Sequence, residues 1–129
     1  QNLPTVAQFK RWARAAAGPR AEITIRIVPL SAGQSLNRDY RGKDYATNVL
    51  SFAYEAGRVI RGDLVLCAGV VSREARAQGK STDAHYAHLT VHGVLHLCGY
   101  DHESDAEARR MEAREKRILQ TLGYPDPYQ

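Results

Sequence analysis

Along Glu22–Val28 the chain alternates, with Ile23, Ile25 and Ile27 falling on one side, the period of a strand that buries one face. Positions 47–54 and 59–67 read as two more strands, joined through the turn around Gly57 as a hairpin. Helical spacing accounts for most of the rest. An amphipathic helix over 5–17 follows Pro4 and is closed by Gly18 and Pro19, a short helix covers 31–40, and a third over 70–78 is broken by Gly79. Ser81 or Thr82 caps the next helix. It is apolar almost all round, because Leu89, Val91, Val94, Leu95 and Leu97 surround a stripe of histidines. Such a helix is expected at the centre of the fold with little freedom to move, and Gly93 within it permits close packing. The last helix starts at Ser104 with a capping box to Glu107 and runs to about Leu122, before Gly123 and Pro125. Its basic residues, Arg109, Arg110, Arg114, Lys116 and Arg117, alternate with Glu107, Glu112 and Glu115, which predicts a solvated face.

This pattern predicts an α+β fold: one compact domain of 129 residues, with a small mixed sheet packed against helices around a central one. The longest apolar stretches, such as 64–71, fall well short of the ~20 residues that a bilayer span needs. No membrane partner and no secretory signal are expected, the latter only weakly for a chain that opens at Gln1. Cys67 and Cys98 sit in apolar surroundings and read as reduced core residues of a cytoplasmic protein. A net charge of +4 and a pI of about 9.3 make a polyanion a plausible partner, although charge governs steering and not chemistry.

The sharpest chemical signal is HGVLHLCGYDH, from His92 to His102. On a helix, His92 and His96 stand one turn apart on one face and can share a cation. Gly99, just past the helix end, can adopt the left-handed conformation that turns the chain back, so that His102 supplies a third nitrogen. Three protein ligands leave a fourth position open, as in a catalytic zinc site. All five histidines lie between His85 and His102, so the choice among them rests on reach. His88 and His96 are roughly 12 Å apart along a helix axis, too far for one ion bonded at about 2 Å. Pairing His88 with His92 gives Gly99 no task. His92, His96 and His102 are therefore the expected ligands, with His85 and His88 read as core histidines or, for His88, as a supporting neighbour. The same spacing occurs in the metal-peptidase pattern HExxHxxGxxH, but Gly93 stands where that pattern has its glutamate base, so peptide hydrolysis of that kind is disfavoured.

In combination with AHLTV before it, LNRDYRGKDYATNVLSF from Leu36 to Phe52 and GDLVLC from Gly62 to Cys67, the histidine segment resembles the YbeY family over nearly the whole chain. The resemblance implies a bacterial, zinc-dependent, single-strand-specific endoribonuclease of rRNA maturation that processes the 3′ end of the small-subunit rRNA. It implies one Zn2+ ion on His92, His96 and His102, and a functional arginine matching Arg41. It also implies small-subunit ribosomal proteins and an assembly GTPase as partners, and a zincin-like α+β fold. The family opens with a strand before its first helix and this chain starts at or after that point, so three to four strands are expected.

Elementary chemistry fits that implication. A phosphodiester passes through a dianionic five-coordinate arrangement, which a cation and a planar guanidinium stabilise more than the ground state. Arg41 suits the second role, since its fork stays charged at any relevant pH. Arg38, Lys43, Arg58 and Arg61 would line a basic approach, while Asp63 and Asp101 have no assigned part. No general base is visible, so attack by an activated water and attack by the ribose 2′-OH both stay open. Two other functions compete: a non-catalytic ribosome-assembly factor with a structural metal, and a metal-dependent hydrolase of another substrate.

Overall fold

The computed structural model describes residues 3–41, 47–54, 59–100 and 103–128, with the side chains at 40 and 41 left out. In chain order the elements are α1 (Val6–Ala17), β1 (Glu22–Val28), α2 (Leu30–Arg41), β2 (Val49–Ala53), β3 (Arg61–Cys67), α3 (Ala68–Gln78), α4 (Thr82–Leu97) and α5 (Asp105–Thr121). The helix ends carry the chemistry that their sequences suggest. Thr5 Oγ1 accepts from the Gln8 N–H at 3.1 Å while Gln8 Oε1 accepts from the Thr5 N–H at 2.8 Å, a reciprocal cap at the start of α1. Ser81 caps α4 through the Ala84 N–H, and Ser104 caps α5 through the Glu107 N–H.

The described strands form one mixed sheet in the order β1-β3-β2. The expected antiparallel pairing is present, the turn around Gly57 lying outside the described residues: β2 runs antiparallel to β3, from Val49 opposite Leu66 to Ala53 opposite Gly62. β1 lies parallel to β3 on its other side, from Glu22 opposite Arg61 to Val28 opposite Cys67. Parallel neighbours need a crossover, and α2 with β2 supplies it. β3 is thus the central strand, and its run Leu64, Val65, Leu66 and Cys67 is buried.

One face of this sheet receives α4. Trp12, Leu64, Leu66, Tyr86, Val94, Leu95, Met111 and Leu119 form a single apolar cluster, in which Phe9 of α1 meets Tyr86 of α4 edge-to-face with ring centroids 5.9 Å apart. α4 is therefore walled by α1, α3, α5 and two strands, and it holds its histidines in fixed positions. The approach to the sheet is close at Gly93. A Cβ there would stand 2.7 Å from Leu64 Cδ2 and 3.3 Å from Val49 Cγ2, and the Gly93 carbonyl accepts from Ser51 Oγ at 3.2 Å.

Candidate metal centre

The stripe of histidines follows from the period of α4. Consecutive rings His85–His88, His88–His92 and His92–His96 have centroids 6.1, 6.2 and 4.7 Å apart, so His92 and His96 are the closest pair. Past Leu97 the helix closes with Gly99 at φ +99°, its N–H bonded to the His96 carbonyl and that of Tyr100 to the Leu95 carbonyl. This is the left-handed turn that the sequence suggests. His102 and Asp101 lie outside the described residues, as do Lys43 and Arg58.

The residue that organises the stripe comes from α5. Glu115 was expected on a solvated face, but it is fully buried. It falls on the helical row of Met111, Ile118 and Leu119, which packs on α4, and that row overrides its charge. Three groups point at its carboxylate. His92 Nδ1 lies against Oε1, while Oε2 accepts from His88 Nε2 at 3.2 Å and from the Tyr128 hydroxyl. Burial alone would push the Glu115 carboxyl up, but the hydrogen bonds from His88, His92 and Tyr128, with the charge of His92, bring it down to about 2.

An ionised carboxylate only accepts hydrogen bonds, so both histidine nitrogens facing it carry protons. His92 accordingly presents Nδ1–H to Glu115, which turns Nε2 to the other side of the ring. His88 holds its proton on Nε2, and its buried Nδ1 has no hydrogen-bond partner among the described residues, which suits a lone pair better than an N–H. One donor atom each from His88, His92 and Glu115 lie within 4.8 Å of one another, so this cluster is itself a candidate for a cation.

His85 is separate. It is buried, and its Nε2–H donates at 2.9 Å to Glu74 Oε1, which also accepts from Asn48 Nδ2 at 3.0 Å. Burial lowers its basicity more than the Glu74 hydrogen bond raises it, so a neutral ring tying α4 to α3 accounts for this residue. Cys98 offers no thiolate, because burial pushes its thiol up. Arg41 is the last residue of α2, and its side chain lies outside the described residues. Asp63 accepts from the Tyr54 hydroxyl across the hairpin. Of the basic residues expected near the cleft, Arg61 pairs with Glu22 at 2.7 Å and Arg38 stands 3.8 Å from Asp39. The position of Gly93 also gives the missing peptidase glutamate a steric cause, since any side chain there would enter the sheet.

Sequence reasoning missed Glu115 and Tyr128. The first had a signal, its register with Met111 and Ile118. The second had none, because its contact depends on how the turn after α5 folds back.

A family model described as Endoribonuclease YbeY matches residues 4–123. A protein of Methylibium petroleiphilum named Endoribonuclease YbeY is 64% identical over 118 residues, covering 92% of this chain and 79% of that one. Its namesake in Aromatoleum aromaticum is 59% identical over 125 residues, covering 97% and 81%. The solution structure of a Thermotoga maritima protein superposes with a TM-score of 0.58 at 23% identity, covering 90% of this chain and 79% of that one, a likeness of fold.

Proposed function

The chain belongs to the YbeY family of endoribonucleases, and on that premise we propose that it is a metal-dependent endoribonuclease of rRNA maturation and ribosome biogenesis. Its substrate is single-stranded RNA, in particular the 3′ end of the small-subunit rRNA. The metal is one Zn2+ ion held by His92, His96 and His102, and the whole domain serves this one activity. The observation that carries the reading is the placing of His92: its Nδ1 is committed to Glu115, which turns its Nε2 away from that carboxylate, and its ring lies 4.7 Å from that of His96. Neutral imidazole nitrogens suit zinc. The turn at Gly99 supports a third ligand from His102.

When bound, zinc supplies a Lewis acid that draws charge from a phosphoryl oxygen. The residues of the chain divide the remaining work. Arg41 donates its guanidinium to the non-bridging oxygens, where negative charge grows as the nucleophile adds to phosphorus. Gly93 offers no carboxylate to act as base, and attack by an activated water and attack by the ribose 2′-OH both stay open. The described residues contain no helix long and apolar enough to cross a membrane, and the proposed site of action is the cytoplasm. Partners would be small-subunit ribosomal proteins and an assembly GTPase.

The test is cleavage of single-stranded small-subunit rRNA by purified wild type and Arg41→Ala, with zinc content measured in both. Wild type should cut and Arg41→Ala should not, at equal zinc. Equal cutting by both removes the role of Arg41, and no cutting by either favours the assembly-factor function. A second metal arrangement, on His88, His92 and Glu115, draws on their mutual 4.8 Å spacing. It predicts zinc loss in His88→Ala and retention in His96→Ala, the reverse of the first.

A further inference from the structure

Glu115 has no exposed surface, and three groups face its carboxylate and use both its oxygens. The division between those oxygens is informative. His88 Nε2 and the Tyr128 hydroxyl both point at Oε2, which fills its two lone-pair directions, while among the described residues Oε1 faces His92 Nδ1 alone. We propose that Glu115 is a positioning residue that orients His92 for the metal, and that Tyr128 holds Glu115 in register. This rests on the zinc reading above, in which Glu115 is not a ligand.

The chemistry requires such a group. A ligating histidine ordinarily donates its second ring N–H to a carboxylate or carbonyl, which fixes the tautomer, sets the ring plane and raises the basicity of the ligating nitrogen. Glu115 meets His92 on the Nδ1 side, so Nε2 is directed to the far side of the ring. An oxygen already engaged by an N–H is a poor candidate to turn toward a cation as well. His88 serves here as a donor to the carboxylate through Nε2.

Tyr128 is itself anchored. Its N–H donates to Asp126 Oδ1 at 2.9 Å, Lys116 Nζ lies 3.4 Å from Asp126 Oδ2, and its ring meets His88 edge-on with centroids 5.4 Å apart. The segment after α5 is thereby folded back along that helix, with the hydroxyl of Tyr128 delivered to a carboxylate on the same helix. A residue 36 positions after His92 in the chain thus stands two hydrogen bonds from it.

The experiment measures zinc affinity by competition with a chromophoric chelator, alongside 15N–1H correlation of the histidine rings in the metal-free protein. Wild-type His92 should carry its proton on Nδ1. Glu115→Gln should weaken zinc binding by about 10- to 100-fold, and Tyr128→Phe, which keeps the ring on His88, should weaken it in the same direction by a smaller factor. Wild-type affinity in both variants, or a proton on His92 Nε2, overturns the proposal. A lower Tm in Tyr128→Phe with unchanged zinc affinity reduces that residue to packing and overturns its part. If Glu115→Gln fails to fold, Tyr128→Phe and the tautomer still decide. Zinc loss in His96→Ala with no effect of Glu115→Gln defeats this inference alone. Zinc retained in His96→Ala but lost in His88→Ala defeats the ligand trio as well.

Discussion

His85 shows how one buried side chain ties a helix in place and makes the fold sensitive to pH. Its ring is enclosed between α4 and α3, and burial disfavours its charged form more than the Glu74 carboxylate favours it. Its basicity in the folded protein is therefore lower than in the unfolded chain. The sign of the consequence follows by linkage. Well above pH ~6.5 both states are neutral at this position and nothing is gained or lost. As pH falls through that value the unfolded chain takes up a proton that the folded one resists, so stability declines until the folded ring titrates too. Denaturant melts of the metal-free protein at a series of pH values should show this decline on the acid side of neutrality. His85→Gln, which lacks the titrating ring, should flatten it. An NMR titration placing His85 above the ordinary histidine range would contradict the argument.

At the level of elements, α4 and the sheet meet through Gly93, and the size of the contact can be weighed. Replacing a helical glycine by alanine ordinarily stabilises a helix by about 1 kcal/mol. Here the added methyl would stand 2.7 Å from Leu64 Cδ2 in the middle of the core, and overpacking of that kind costs about 1–3 kcal/mol. The strain should win. Gly93→Ala is expected to lower the denaturant midpoint at unchanged m-value, and Gly93→Glu to prevent folding. A more stable Gly93→Ala protein would mean that α4 can lift from the sheet. The same elements show what was legible in the sequence. Alternation in Ile23, Ile25 and Ile27 and the glycines at 79 and 99 act locally, and β1, α3 and the end of α4 lie where they indicate. The hairpin of β2 and β3 is local as well. The insertion of β3 between β1 and β2 is not, because a parallel pairing across α2 leaves no mark on either strand. Glu115 was hidden for a related reason. Its neighbours Arg114 and Lys116 describe a solvated helix, and only the spacing to Met111, Ile118 and Leu119 reveals the buried row. The His92 and His96 juxtaposition was legible because a single helical turn creates it, whereas the carboxylate beneath it required two helices and a returning segment.

For the molecule as a whole, the question is how a chain of net charge +4 engages a polyanion. The net charge is modest, and several of the cations that could meet a phosphate already face carboxylates: Arg61 on Glu22, Arg38 beside Asp39, Lys116 on Asp126. A broad electrostatic grip on many phosphates is therefore not expected, and affinity should come from a short run of contacts flanking the metal centre. Binding that neutralises three or four phosphates of a single strand releases their counterions, with a slope of roughly −0.7 per phosphate on a logarithmic salt scale. Between 50 and 200 mM salt this amounts to a loss of roughly 20- to 50-fold in affinity. If Arg41 meets a phosphate as proposed, the slope measured on a single-stranded RNA fragment with Arg41→Ala protein should also be shallower than that of metal-loaded wild type held at a temperature too low for cutting, since one contact is then gone. A slope near zero in both would mean that charge plays no part in recognition and that RNA is not what this surface binds. A much steeper slope would instead require cations beyond those near the site, and would place much of the binding on the basic face of α5, where Arg109, Arg110 and Arg117 are carried.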